Sequence, residues 1–338
     1  MDGLIAAGAP WPAAIAVSGG SDSVALMHLA ARWAKRRRRP QPPVLTVDHG
    51  LRPDSDRDAR VVQRWATSYG LKAHTLRWKG VKPTSDIEAQ AREARYGLIG
   101  AWLSRNAVHG VCVGHTRDDQ AETFLLRLAR GSGLDGLSAM RPQAPFPVEQ
   151  FRHVSVVRPL LSFGREDLRR YLEGLDQPWL DDPMNDETRF RRSALRHHRP
   201  VLDALGLTAS RIADAADHLA RARDALDEVT IAVLARSCRM EGRTALLARE
   251  ALVAAPREVA LRALARMLMA VSGNTYRPRF ERLERVFAWL ENGNLSRSCT
   301  LHGCHIGRAP KRIATFGEET VLIAPEPPRR TRKHPASK

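Results

Sequence analysis

The stretch AAIAVSGGSDSVAL, residues 13–26, decides the fold of this chain. An apolar run ends at Ser18, and apolar residues resume at helical spacing from Val24. This order predicts a buried strand, a tight loop and a helix. Glycine lacks a Cβ and lets the backbone approach a ligand, while the amides at a helix N-terminus bind anions. The loop therefore predicts a phosphate site formed by Ser18, Gly19, Gly20, Ser21, Asp22 and Ser23.

Asp22 is the acidic member of this loop, where the hydroxyls of Ser18, Ser21 and Ser23 would donate to phosphate. A carboxylate repels phosphate unless a divalent cation lies between them, so the loop predicts a Mg²⁺-nucleotide with Asp22 as a metal ligand. Neither GxxxxGK[ST] nor GxGxxG occurs here, which excludes a Walker loop and the dinucleotide fingerprint. The alternative is a Ser/Gly-rich turn in which Asp22 only caps the helix.

Length and charge narrow the class of protein. The chain has 338 residues, which predicts two domains, and its formal net charge of +17 favours a polyanionic partner such as nucleic acid. An arginine-rich proteome is the other explanation of the charge. The four cysteines form no CxxC pair, no basic leader precedes the first strand, and no apolar run reaches membrane-spanning length. We expect reduced thiols, a cytoplasmic location and no membrane contact.

The first 200 residues alternate between short apolar runs and helical patterns. Further strands are predicted at residues 44–47, 71–78 and 111–113, which indicates a parallel sheet with crossover helices. Asp48 follows the second strand, at the sheet edge where such folds bind ligands. Residues 208–271 predict two or three helices, and short alternating runs at 298–301, 305–307, 312–316 and 320–323 predict a small β element. We therefore expect domains at 1–205 and 206–324, followed by a disordered basic tail at 325–338.

A second polar segment, GHTRDDQAET, occupies residues 114–123. His115, Asp119 and Glu122 are spaced so that they share one face if the segment is helical. Thr116 and Asp119 also match a capping box, so capping is the alternative role of Asp119. Three carboxylates within five residues require a cation, either Mg²⁺ or an ammonium group.

Two basic segments are further candidates for binding phosphate. Arg95 lies seven residues after Glu88 on a predicted helix, and the alternative there is an ion pair between Glu88 and Arg92. The segment FRRSALRHHR, residues 190–199, would bind polyphosphate or an RNA backbone, or it forms a solvated face.

Six segments together resemble bacterial tRNA(Ile)-lysidine synthases, which are PP-loop ATP pyrophosphatases. They are SGGSDS at Ser18, VDHGLR at Val47, IEAQAREARY at Ile87, GHTRDDQAETFLLRLARGSG at Gly114, RPLL at Arg158 and DDPMND…FRR…LR from Asp181. The resemblance is dense over about residues 13–200. One position departs from the family pattern, because Arg192 stands where the family usually has asparagine.

The resemblance implies a Rossmann-like fold of the adenine nucleotide α-hydrolase type, and ATP and Mg²⁺ as cofactors. It implies that free L-lysine is joined to C2 of the wobble cytidine of tRNA(Ile) with a CAU anticodon, through an adenylated cytidine, with release of AMP and pyrophosphate. Asp119 and Glu122 would bind lysine, and Asp48 and Arg95 would lie at the nucleotide. The implied catalytic residues are Asp22, His115, Asp119 and Arg191. A homodimer is compatible with the family.

Three other functions are compatible with parts of the sequence. A PP-loop tRNA thiolase relies on catalytic cysteines, often paired as CxxC, and no such pair occurs here. An amidotransferase-type synthetase would need a glutaminase part. A non-catalytic tRNA-binding protein with a relic nucleotide fold would have no physical need for clustered carboxylates in a basic chain.

Overall fold

The computed structural model describes residues 1–51, 55–83, 85–181, 191–293 and 295–327, without the side chains of Glu88 and Arg191. The chain divides into two compact units, Met1–Ala220 and Arg221–Lys338. The predicted boundary after residue 205 lies within the first unit, and the division falls inside a long helix, Ala209–Ser237. Most of the predicted basic tail, from residue 328 onward, lies outside the described residues.

The first unit alternates strands and helices as the apolar runs predict. Its strands are β1 Ala14–Ala16, β2 Val44–Asp48, β3 Ala73–Arg77, β4 Gly110–Cys112, β5 Gln143–Pro145 and β6 Ser155–Val157. Its helices are α1 Asp2–Ala6, α2 Ser21–Arg36, α3 Ser55–Ser68, α4 Ile87–Arg105, α5 Arg117–Leu128, α6 Leu134–Leu137, α7 Arg165–Glu173, α8 Arg191–His197 and α9 Arg199–Ala204, and α10 Ala209–Ser237 begins in it. The four strands predicted from the sequence are confirmed, and β5 and β6 were not predicted.

The six strands form one sheet in the order β3-β2-β1-β4-β6-β5. All neighbouring pairs are parallel except β5 with β6. The chain runs outward from β1 through β2 to β3, and then returns to place β4 on the other side of β1. This reversal opens a crevice at the carboxyl ends of β1 and β4, which is the usual ligand site of such sheets. The parallel Rossmann-like fold is therefore confirmed.

Helices cover both faces of this sheet. On one face α2 and α7 bury Leu26, Met27, Leu168 and Leu172 against strand residues such as Ile15. On the other face α4 contributes Tyr96, Ile99 and Leu103 to a second core cluster. Burial of apolar side chains on both faces explains why the strands read as continuous apolar runs rather than as alternating ones. The two covered faces leave the strand ends as the place for a polar site.

The second unit combines helices with a five-stranded sheet of order β7-β8-β11-β10-β9. Its elements are β7 Cys238–Glu241, β8 Thr244–Ala248, α11 Arg249–Val253, α12 Arg257–Ser272, α13 Phe280–Glu291, β9 Cys299–Leu301, β10 Cys304–Arg308 and β11 Thr320–Pro325. Leu264, Leu268 and Phe287 pack in its core against strand residues such as Ile306 and Ile323. The small β element is confirmed. None of the helices in the described residues is both long enough and apolar enough to cross a bilayer.

Two details of the second unit differ from the sequence prediction. The region predicted to be wholly helical contains the β7–β8 hairpin, which turns at Gly242 with a positive φ of 60°. The run 312–316 is not a strand, because Lys311–Ile313 forms a 3₁₀ turn and the Phe316 amide donates to Thr320 Oγ1. Short apolar runs do not distinguish these local structures, since the partner strand decides which run pairs.

Candidate active site

The SGGSDS loop connects β1 to α2 at the crevice. Gly19 has a positive φ of 101°, and a Cβ there would lie 2.6 Å from Leu180 Cδ1. The Leu180 amide donates to the Gly19 carbonyl at 2.9 Å, which holds this segment over the loop. The backbone conformation therefore requires glycine at position 19, and the Leu180 side chain packs closely against it.

Ser23 organises the loop through its hydroxyl. Its Oγ donates to the Gly20 carbonyl at 2.9 Å and accepts the Ser18 amide at 3.2 Å. The Ser18 hydroxyl lies 3.3 Å from the same oxygen. The loop thus closes on itself, and α2 begins at Ser21 with its first amides at the crevice. A 16-residue helix starting there supplies the amide donors and the partial positive charge that phosphate requires.

Asp119 caps α5 with one carboxylate oxygen and contacts an arginine with the other. Thr116 and Asp119 form a capping box at the start of α5, in which Asp119 Oδ2 accepts the Thr116 amide at 2.8 Å. The other oxygen, Oδ1, faces Arg165 at 3.3 Å. His115 precedes the helix, which begins at Arg117, so it does not share a helical face with Asp119 and Glu122. The expectation that these residues lie on one helix therefore holds for Asp119 and Glu122 but not for His115.

Arg165, at the start of α7, places a guanidinium among the carboxylates. Its Nε donates to Asp22 Oδ2 at 3.1 Å and its Nη2 donates to Asp119 Oδ1. Its Nη1 lies 3.7 Å from Glu122 Oε1. Its backbone amide donates to Asp118 Oδ2 at 2.8 Å. Arg165 therefore joins the phosphate loop to α5.

Arg196 provides a second cation. Its Nε donates to Glu122 Oε1 at 2.7 Å and its Nη2 donates to Oε2 at 3.4 Å, which is the two-point geometry favoured by arginine and carboxylate. Asp22, Asp119 and Glu122 carry three negative charges against the two positive charges of Arg165 and Arg196. Within this carboxylate cluster the acidic groups outnumber the guanidinium groups by one, and the charge of Asp118 also acts on Asp22.

Burial and charge act on these groups in opposite directions. Burial raises the pKa of Asp22, although the Arg165 guanidinium opposes the shift. Burial works to lower the pKa of Arg165, but Asp119, Asp22 and Glu122 outweigh it and raise that pKa. Arg165 is therefore charged at any physiological pH and is the main compensation for the buried carboxylates.

Gly114 makes the close approach of these elements possible. It follows β4, and a Cβ there would lie 3.0 Å from the carbonyl carbon and oxygen of Asp22 and 3.1 Å from Ser23 Cα. Backbone atoms do not yield as the end of a flexible side chain does. The absence of a side chain at Gly114 therefore brings His115 and the start of α5 to the phosphate loop.

Asp48 shapes the neighbouring loop after β2. Its Oδ1 accepts the Gly50 amide at 3.0 Å and the Ser55 hydroxyl at 2.7 Å, while Oδ2 lies 3.7 Å from Arg77 Nε. These contacts hold the loop at the carboxyl end of β2, beside β1. The position agrees with a nucleotide-binding role, and its hydrogen bonds are directed within the loop.

Both arginines and a carboxylate act on His115. Arg158 Nε donates to His115 Nδ1 at 3.2 Å. Burial lowers the pKa of His115 to about 4; Asp119 opposes this shift, and the charges of Arg158, Arg192 and Arg92 reinforce it. Burial likewise lowers the pKa of Arg95, whose guanidinium lies 5.3 Å from the Tyr96 ring centre. His115 is therefore influenced by Asp119 of the carboxylate cluster and by several arginines.

Three of the candidate residues lie around one guanidinium group, and the other candidates lie elsewhere or have side chains outside the described residues. Asp22, Asp119 and Glu122 share Arg165 as a partner. The Arg191 side chain lies outside the described residues, although its backbone begins α8. Arg165, Arg196 and Arg158 were not predicted as site residues. Arg158 and Arg196 each gave a signal, since Arg158 belongs to the RPLL segment and Arg196 to the FRRSALRHHR segment, whereas Arg165 gave none.

A metal ion would fit this site only if a bound ligand supplied further coordinating atoms. No group of three or more His, Cys, Asp or Glu side chains in the described ranges is arranged to hold a metal ion. Mg²⁺ commonly takes one or two carboxylates together with water and substrate phosphates. Asp22, beside the phosphate loop, suits such a single protein ligand.

Comparison with known proteins gives consistent matches. Residues 9–202 match the family model described as a PP-loop domain. A tRNA(Ile)-lysidine synthase of Ruegeria pomeroyi is 40% identical over 299 residues, which cover 88% of this chain and 69% of that protein. One from a Bradyrhizobium species is 38% identical over 334 residues, covering 94% and 91%, and one from Wolbachia pipientis is 36% identical over 313 residues, covering 92% and 70%.

Proposed function

The chain belongs to the tRNA(Ile)-lysidine synthase family, and we propose that it joins free L-lysine to C2 of the wobble cytidine of tRNA(Ile) with a CAU anticodon. ATP would adenylate the cytidine, and AMP and pyrophosphate would be released. The enzyme is thus an ATP-dependent, AMP-forming ligase.

The carboxylate cluster beside the phosphate loop is the observation that carries this proposal. The loop suits ATP, and Asp119 and Glu122 lie next to it, only 6% and 4% exposed. Buried carboxylates with an uncompensated negative charge attract a cation. The lysine side chain carries an ammonium group, whose positive charge would offset the negative charge of the carboxylate cluster.

The first step places negative charge on phosphate oxygens as pyrophosphate leaves. The amides at the start of α2 and the hydroxyls of Ser18 and Ser21 would bind those oxygens. When bound, Mg²⁺ held partly by Asp22 would neutralise phosphate charge. Oxygen O2 of cytidine bonds to the α-phosphorus, and this gives C2 the leaving group that it otherwise lacks.

In the second step the lysine ε-amine attacks C2 and the C2–O bond electrons leave with AMP. The amine must lose a proton before or during the attack. Asp119 and Glu122 would bind the ammonium, and one of these carboxylates would accept the proton. Because Arg165 contacts both carboxylates, the ammonium must displace or share this guanidinium.

The arginines near His115 would suit the RNA. The charges of Arg92 and Arg192 act on both Arg95 and His115, and Arg191 begins helix α8. An anticodon loop is single-stranded, so a base leaves its stack at low cost and its phosphates meet these cations. We also propose that the protein is cytoplasmic and that it forms a homodimer.

Incorporation of radiolabelled lysine into purified tRNA with ATP tests the proposal. Isoleucine CAU tRNA should be labelled, and methionine CAU tRNA should not. ATP-dependent sulfur transfer without lysine labelling would favour a thiolase instead. Tight tRNA binding with neither activity would favour the relic binding protein. Asp22→Ala should abolish exchange of pyrophosphate with ATP, and retained exchange would contradict its role at the phosphates.

A further inference from the structure

The hydrogen bond between Arg158 and His115 has only one direction. Arg158 Nε always carries a proton and cannot accept a hydrogen bond. At 3.2 Å from it, His115 Nδ1 must therefore be the acceptor, which requires an unprotonated Nδ1. A neutral imidazole has one protonated nitrogen, so the proton resides on Nε2.

The backbone holds Arg158 in place for this contact. Arg158 follows β6, which pairs with β4, and His115 follows β4 three residues after Cys112. Arg158 Nη1 donates to the Arg141 carbonyl at 2.8 Å, and its own amide donates to the Pro142 carbonyl at 2.8 Å. Both ends of the residue are anchored to one segment. The guanidinium is thus fixed rather than free to follow the imidazole.

The surroundings oppose a second proton on the ring. Arg158 faces His115 from the end of β6, Arg92 from α4 and Arg192 from α8, and all three disfavour a positive imidazolium. Asp119, on α5, is the charge that favours it. No acceptor is recorded for Nε2 among the described residues, so its proton remains available to a ligand in the crevice.

We propose that Arg158 is a positioning residue that fixes His115 as the neutral Nε2–H tautomer, and that His115 donates from Nε2 to a substrate oxygen on which negative charge develops. This role rests on the proposed function. The oxygen belongs either to the α-phosphate or to cytidine O2, which share the same acceptor chemistry. His115 transfers no proton, and the proton of the lysine amine goes to a carboxylate of the cluster. The RPLL segment thereby gains a role through its arginine.

The tautomer is measurable without any activity. Nitrogen NMR of histidine-labelled protein separates protonated from unprotonated ring nitrogens, and a His115→Gln variant assigns the signal. We expect Nε2 protonated and Nδ1 unprotonated from pH 5.5 to 8. A protonated Nδ1 in the unmodified protein overturns the proposal. Arg158→Met should release the ring to both tautomers and Arg158→Lys should restore one, while His28, bound to Tyr171 at 2.6 Å, provides an unchanged control signal.

Kinetics then test the donor role. The amide nitrogen of glutamine reaches the position of Nε2, whereas asparagine mimics Nδ1. Loss of one such donor typically lowers kcat by about 10²–10³-fold, so His115→Asn should lose this much and His115→Gln should stay within about tenfold. Pyrophosphate exchange and lysine transfer, measured separately, show which oxygen is bound.

Two kinetic outcomes contradict the proposal. One is equal loss in the glutamine and asparagine variants, and the other is an acidic limb near pH 6.5 in the unmodified enzyme that disappears in His115→Gln. If the unmodified protein transfers no lysine to tRNA, the proposed function fails while the NMR result still decides the tautomer.

Discussion

Replacing Arg165 with methionine removes the cation that joins three buried carboxylates while keeping a side chain of similar length. Arg196 would still pair with Glu122, whereas Asp22 and Asp119 would lose the guanidinium partner that Arg165 provides. The excess negative charge in the cluster would rise from one to two. We expect a marked loss of stability in the first unit.

The magnitude follows from burial. Removing one partner of a buried ion pair costs about 3–5 kcal/mol, because the other charge stays buried and uncompensated. The Arg165 side chain is 20% exposed and Arg196 remains, so we expect the lower end, about 3 kcal/mol. For a unit of this size, that corresponds to a fall in Tm of roughly 6–12 °C.

The loss should depend on pH in a defined direction. Burial raises the pKa of Asp22 in the folded protein, and removal of Arg165 raises it further, since Arg165 opposes the shift. A carboxyl with a raised folded pKa binds more protons when folded than when unfolded, so stability increases as pH falls through that pKa. The penalty of Arg165→Met should therefore be larger at pH 7 than at pH 5.

Arg170→Met is the matched control. Arg170 lies on the same helix, pairs with Asp167 at 2.5 Å and is 66% exposed, so its loss should cost less than about 1 kcal/mol. Calorimetry at both pH values compares the two variants. Adding Asp22→Asn to Arg165→Met should recover part of the stability, because it removes an uncompensated charge. Equal Tm values for Arg165→Met and Arg170→Met, or no recovery in the double variant, would refute the reasoning.

Three further outcomes are expected. Glu122→Gln should raise the KM for lysine far more than the KM for ATP in steady-state assays, and equal changes would argue against a lysine site. Gly114→Ala should impair pyrophosphate exchange and lower stability by about 1–3 kcal/mol, because its Cβ would meet the Asp22 backbone. Gly97→Ala, with nothing within 4 Å of the added Cβ, should leave both unchanged or slightly improved. Binding of tRNA should weaken about tenfold or more for each doubling of salt if about five phosphates are neutralised, and a flat titration would exclude a phosphate-dominated interface.

Local sequence was sufficient to predict the central strands of the first unit and the polar segments that follow them. The strands before Ser18, Asp48 and Gly114 are buried on both faces, so each is a run of apolar residues that a single sequence displays. The phosphate loop and the acidic start of α5 were found in the same way, because glycine, serine and carboxylate residues sit at fixed offsets from those strands. Asp119 shows the limit of local sequence, because one carboxylate oxygen caps α5 while the other contacts the distant Arg165.

Strand β6 and the β7–β8 hairpin could not be predicted from local sequence. Each strand is only three to five residues long, and β6 and β8 pair with strands far along the chain, β4 and β11. Missing β6 also concealed why Arg158 and Arg165 reach the crevice, since both follow that strand. In a chain with 54 lysine and arginine residues, the RPLL segment marks Arg158, but nothing local distinguishes Arg165.

The sequence by itself determined the parallel sheet, the phosphate loop and the family, because these depend on residues close together along the chain. Only the tertiary structure decided how charge is distributed in the crevice. Arg165 lies 143 residues from Asp22 and 46 from Asp119, and Arg196 lies 74 from Glu122. Electrostatic interaction depends on distance in space and on burial, so the order of β1, β4 and β6 in the sheet sets which guanidinium meets which carboxylate.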